Sequence, residues 1–245
     1  MHDNADPIVG IVVALPEELR SLTNIKLKQG EHVQLGNILI AYSGAGMNNA
    51  AKAALTLMEK GAKQLVSWGC AAGLAQNFKP GDLLLAEKIV DEHDQFDIDL
   101  QWRGNVLKVL NAVASVHNGS LFTSKELISR SQDKQQIHQN SHAVALDMES
   151  AAIAEVARKN GMPFLVIRSI ADPVSMDLPA AVLAGLDDNG QVKLSKLLGH
   201  LLGHPWEVFG LIRLGLHFHA AQKTLKTVAK QLGIQENKQP APIAN

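Results

Sequence analysis

Cysteine is nearly absent from this 245-residue chain, Cys70 being its only one. That excludes an intramolecular disulfide framework and every multi-cysteine metal site, and it fits a reducing compartment. The chain also lacks any run of about 18 apolar residues, the length that spans a bilayer. Its start, MHDNADPIVG, has no basic segment leading into a long apolar stretch, so it does not read as a secretory signal. These absences predict a cytoplasmic protein, soluble or peripheral to the inner face of the membrane. The formal net charge of -1 gives no reason to expect nucleic acid as a partner. Metal-ligand clusters, a serine–histidine signature and a lysine-bearing P-loop are missing as well. No metal or organic cofactor is expected, which leaves inorganic phosphate as the one candidate co-substrate.

What is present is enough apolar residue, 46% of the chain, to bury a substantial core. Residues 8–15 (IVGIVVAL) form a continuous apolar run rich in β-branched residues and predict a strand buried on both faces. The same pattern predicts strands over 38–42, 64–68, 82–90 and 164–170. Between them, 48–60 and 150–160 read as helices, closed by Gly61 and Gly161 at positions where a left-handed residue commonly ends a helix. Strands alternating with helices imply α/β architecture: one three-layer α/β/α domain around a central mixed, mostly parallel, twisted sheet. Residues 7–190 are expected to form its body and 191–234 a C-terminal helical extension of the same domain, with 235–245 a disordered tail.

In such sheets ligands bind beyond the carboxyl ends of the strands. Those ends carry PEELR (16–20), SGAGMNN (43–49), GCAAG (69–73), DMES (147–150) and ADP (171–173). The glycine loops suit either tight turns or an anion or ribose cradle. SGAG alone would support a dinucleotide-dependent oxidoreductase, but the acidic residue expected to close the following strand is missing. Glu17 and Glu18 read as a charged first helical turn or as site residues. Glu149 precedes a packed alanine-rich helix, where a carboxylate needs partners. Asp147, just before it, reads as a helix cap. Three acids at strand ends suit cleavage of an N-glycosidic bond, in which one group holds sugar hydroxyls, one activates a nucleophile and one protonates the leaving base.

GIVVALPEEL, SGAG, GCAAGL…KPGDLLLAE, ALDMESAAIA and VIRSIAD stand in the order seen in the nucleoside phosphorylase and nucleosidase superfamily, which this chain resembles over residues 8–175. The Met-Glu pair with Arg-x-x-x-Asp about 20 residues later is the specific part. The resemblance implies that Glu149 binds the ribose hydroxyls and Met148 packs under the sugar. It implies that Asp172 protonates the purine and that Glu18 activates water where the reaction is hydrolytic. Gly44, Gly46, Gly69 and Cys70 would line the phosphate or water subsite, with Arg20 a possible added cation. Leu127 and Ile128 fall in the base-binding segment. It also implies a homo-oligomer.

Several positions depart from the family pattern. Ala171 stands where nucleosidases have serine before the aspartate, Cys70 where the family has serine, Leu127 at an aromatic base-stacking position, and Ser67 where purine phosphorylases have a phosphate-binding arginine. Residues 163–192 and 201–215 look like the hopanoid-associated phosphorylases. That branch implies release of adenine from an adenine nucleoside with a bulky apolar 5′ substituent, by phosphorolysis. Hydrolysis of the 5′-methylthioadenosine/S-adenosylhomocysteine type is the alternative, and a non-catalytic adenosine-ligand binder is a rival of another class. In the extension, Val208, Leu211, Ile212, Gly215 and Leu216 recur at helical spacing within a basic region, as in a helix that contacts an anionic membrane or packs on a core. His200, His204, His217 and His219 read as surface or cap residues.

Overall fold

The computed structural model describes residues 7–112, 115–185 and 194–234. The expected domain boundary at 190/191 and the tail 235–245 lie outside these residues. The elements run β1 (Val9–Val13), α1 (Pro16–Leu22), β2 (His32–Leu35), β3 (Ile38–Tyr42), α2 (Met47–Glu59), β4 (Gln64–Gly73), β5 (Leu83–Leu85), β6 (Lys88–Val90), β7 (Gln95–Asp97), α3 (Leu100–Leu110), β8 (Val116–His117), β9 (Ser120–Thr123), α4 (Ser131–Ser141), β10 (Ala145–Asp147), α5 (Ser150–Lys159), β11 (Phe164–Asp172), α6 (Ala180–Gly185), α7 (Leu194–Gly203) and α8 (Glu207–Gln231).

The strands form one mixed sheet in the order β2-β3-β1-β4-β10-β9-β6-β7, with β11 also pairing β4 and β5. Long β4 is the junction. Its first half lies parallel to β1, its last residues lie antiparallel to β10, and β11 runs parallel beside nearly its whole length. Burial explains the apolar runs, since every position of β3 and of β11 is buried. Helices α2 and α5 pack together on the sheet, while α1 and α3 pack with α8. Alanines make the first contact close: Ala50, Ala53 and Ala54 of α2 and Ala151, Ala152 and Ala154 of α5 are all buried. The second half of the extension belongs to the main core, through Leu225, Val228 and Ala229 of α8.

Two expected boundaries move. The strand predicted over 82–90 is two strands, β5 joining β11 and β8, and β6 joining β9 and β7. The chain changes partners at Ala86, whose carbonyl accepts from the buried Arg103 guanidinium instead of from a neighbouring strand. GCAAG is not a loop after the third strand but the second half of β4, because β11 and β10 continue to pair it.

Candidate active site

The site is organised by Arg168. It sits mid-strand in β11, FLVIRSIAD, and a guanidinium placed there must find acceptors or destabilise the fold. Its Nη2 donates to Asp147 Oδ2, to Ser67 Oγ at 2.8 Å and to Ser150 Oγ at 3.3 Å, and its Nη1 donates to the Cys70 carbonyl at 3.2 Å. The carboxylates of Glu18 and Glu149 each lie 3.9 Å from it. One buried cation therefore gathers three carboxylates from two distant parts of the chain, the start of α1 and the junction of β10 with α5.

Each acid arrives by a different local device. Glu18, in the first turn of α1, accepts from the Ala14 and Leu15 N–H groups at 2.9 and 3.0 Å, and from the Cys70 N–H at 2.8 Å. It thus caps its own helix and reaches across to β4. Gly69 makes room for that reach, since a Cβ there would overlap the Glu18 carboxylate and the Arg168 guanidinium. Burial pushes the Glu18 carboxyl above its usual pKa, with Arg168 and the three backbone N–H groups pulling it back.

Glu149 sits at the start of α5, where Oε1 accepts from the Gly46 N–H at 3.0 Å. Gly46 has φ of +94°, a conformation that glycine adopts without the steric cost of a side chain. Burial first, and the adjacent Asp147 second, raise the Glu149 pKa to about 7. Asp147 does accept from the Ser150 N–H as a cap would, at 3.2 Å, but it also binds Arg168 and the Thr123 hydroxyl. Its main work is to hold the arginine.

Asp172 ends β11 just past a bulge between Ile170 and Asp172, a device that re-aims a side chain at a sheet edge. Its Oδ2 accepts from Lys134 Nζ at 2.6 Å, whereas its buried Oδ1 has no partner among the described residues. Burial raises the Asp172 pKa, Lys134 opposes that rise and Asp177 adds to it.

Of the residues expected from sequence, Glu18, Gly46, Gly69, Cys70 and Glu149 are brought together around Arg168. Met148 lies beside Glu149, its N–H donating to Oε2 at 3.3 Å. Gly44 has φ of +77° and carries the turn from β3 into α2 against the Gln29 side chain. Leu127 stands exposed in the segment between β9 and α4, while Ile128 packs on a small cluster of Leu74, Ala143 and Leu146. The suggested cation Arg20 is not in the site. It points into solvent and pairs with Glu17 at 2.9 Å, because it lies on the opposite side of α1 from Glu18. The cation of the site is Arg168, which the motif contained but to which no role was given; a cation in the middle of a mostly apolar strand was the available signal. Lys134 gave no signal, since it stands in the polar stretch SQDKQQIHQNS.

The sequence model of the phosphorylase superfamily matches residues 8–198. The chain belongs to this superfamily. It is 27% identical over 198 residues to a 5′-methylthioadenosine/S-adenosylhomocysteine nucleosidase of Desulfotalea psychrophila, covering 68% of this chain and 84% of that one. It is 24% identical over 218 residues to an aminodeoxyfutalosine nucleosidase of Helicobacter pylori, covering 75% and 93%. Among solved structures, the S-adenosylhomocysteine nucleosidase of Streptococcus pyogenes superposes with a TM-score of 0.68 at 19% identity, over 97% of this chain and all of that one. The superfamily and the mixed sheet with flanking helices agree with the resemblance read from the motifs.

Proposed function

We propose that this phosphorylase-superfamily enzyme hydrolyses the N-glycosidic bond of an adenine nucleoside with a bulky apolar 5′ substituent. Glu149 accepts from the ribose hydroxyls over Met148, Glu18 takes a proton from water, and Asp172 protonates the departing adenine through Oδ1, which has no partner among the described residues. The nucleosidase relatives support hydrolytic cleavage of an adenine nucleoside and do not bear on the apolar 5′ group. The observation that carries hydrolysis over the expected phosphorolysis is the charge balance around Arg168. Its guanidinium is already bonded to Asp147 and faces Glu18 and Glu149, so a phosphate anion would meet carboxylates with no uncommitted cation beside them among the described residues. A neutral water meets no such repulsion. The test is adenine release from a panel of 5′-substituted adenosines in phosphate-free buffer: turnover that phosphate does not stimulate is expected, and strict dependence on phosphate would restore phosphorolysis.

The apolar 5′ group is supported by the extension. Helix α6 follows Asp172 closely and its Ala181 N–H donates to Glu207 of α8 at 2.7 Å, tying the extension to the site's edge. There Leu202, Trp206, Phe209, Ile212 and Leu216 are 56–89% exposed. This stripe is offset from the expected one, because Leu211 turns partly inward while Phe209 faces out. Lys196 and Arg213 are exposed on the same two helices, and Glu207, the one acid among residues 194–216, accepts from Ala181 and His200. An anionic lipid surface complements that combination of apolar side chains and exposed positive charge. No helix among the described residues is long and apolar enough to cross a membrane. Co-sedimentation with vesicles of anionic lipid should fall several-fold in Phe209→Ser/Ile212→Ser. Equal sedimentation would contradict lipid contact, and a change in oligomeric state instead would assign the face to a second copy.

A further inference from the structure

Helix α4 is polar apart from Ile137, and the one residue it buries completely is a lysine. Lys134 is fully buried, and its ammonium group donates to Asp172 Oδ2 at 2.6 Å, to the Met176 carbonyl at 2.8 Å and to the Pro173 carbonyl at 3.4 Å. A buried ammonium is costly unless every proton is placed, so a structural lysine at this position would be a poor choice beside an apolar residue. Two further bonds fix the helix to the segment that follows β11: the Ser131 N–H donates to Asp177 at 2.6 Å and the Leu178 N–H to the Ser129 carbonyl at 2.8 Å. Ala171, beside Asp172, has no side-chain donor. The lysine therefore holds one carboxylate oxygen, while the other is buried with no partner among the described residues.

Building on the nucleosidase reading, we propose that Lys134 is a positioning residue for the proton transfer: it holds Asp172 Oδ2 so that Oδ1 meets the leaving base, and it offsets the charge left when the proton departs. In the step itself, the O–H bond at Oδ1 breaks as an N–H bond forms on the purine. The C1′–N9 electron pair moves onto the base, the oxygen of water bonds to C1′, and the water's proton goes to Glu18. Asp172 is then an anion 2.6 Å from an ammonium, while before the step the Met176 and Pro173 carbonyls keep that ammonium solvated. The other charged group acting on Asp172 is Asp177, which disfavours the anion and sharpens the need for the lysine.

The test is Lys134→Met, with Lys134→Arg as the charge-retaining companion. In Lys134→Met, kcat should fall at least about tenfold with KM changed less than about twofold, the split expected when a group acts on the transition state and not on binding. The carbon-13 carboxyl resonance of Asp172, assigned by its loss in Asp172→Asn, should titrate about one pH unit or more higher than in the wild type. Lys134→Arg should bring that midpoint back towards the wild-type value. A folded Lys134→Met with an unmoved midpoint or undiminished kcat would overturn the proposal. Should that variant fail to fold, the nitrogen-15 resonance of Lys134 in the wild type decides: it should shift in step with the Asp172 titration, and independence of the two would overturn the proposal. A wild type that releases no adenine would remove the nucleosidase reading instead, leaving the coupling of the two side chains measurable.

Discussion

Replacing Asp172 with Asn is expected to lower kcat by about 10²- to 10⁴-fold while leaving nucleoside affinity within a few-fold of wild type. Asparagine keeps the size of the side chain and an oxygen that can accept from Lys134, but it has no acidic proton to deliver to the purine. The loss corresponds to about 3–5 kcal/mol of transition-state stabilisation, at 1.36 kcal/mol per tenfold in rate. That is the range expected of a positioned general acid, and it is too large for a side chain that only shapes the pocket. Single-turnover adenine release measures the chemical step, and calorimetric titration measures binding. A variant within about threefold of wild type in the chemical step would show that another group protonates the base. Intact binding by a wild type that releases no adenine would instead identify a non-catalytic adenosine binder.

The second large effect is expected on stability. Arg168→Met removes the one cation among Glu18, Asp147 and Glu149, all of them buried. Breaking a buried ion cluster from one side typically costs about 3–5 kcal/mol, because the remaining charges lose their partner without regaining water. The cost should depend on pH with a definite sign. Without the arginine, the folded-state pKa values of Glu18 and Glu149, already raised by burial, rise further above their unfolded values, so the folded variant takes up protons as pH falls and its deficit shrinks on acidification. Urea unfolding at pH 8 should therefore show the full loss and unfolding at pH 5 a smaller one. Adding Asp147→Asn should recover part of the deficit, since it deletes the carboxylate most directly orphaned. A loss below about 1 kcal/mol at pH 8 would mean that the cluster is not the organising element of the site.

Legibility in the sequence followed locality. Strand β3 falls where its apolar run ends on both sides, and α2 and α5 lie within a residue of their predicted bounds, because glycine and alanine patterning is a local signal. The second half of β4 was not legible. GCAAG looks like a turn by composition, and only pairing with β10 and β11, contributed from residues 145–172, makes it a strand. The site divides in the same way. Glu149 and Asp172 stood out because acids beside packed apolar segments need an explanation. Arg168 was visible in its motif, yet its role depends on carboxylates 19 to 150 positions away along the chain. Lys134 was invisible, since nothing in a polar helix says which of its charged residues turns inward. It does so only because Asp172, 38 residues later, is placed opposite it.

The proposed hydrolysis delivers water, not phosphate, to the anomeric carbon of an adenine nucleoside. Mass analysis of the sugar product formed in oxygen-18 water, with inorganic phosphate also present, tests it most directly. Hydrolysis should leave one heavy oxygen on the free sugar and no sugar phosphate. A sugar 1-phosphate without label at C1′ would contradict it.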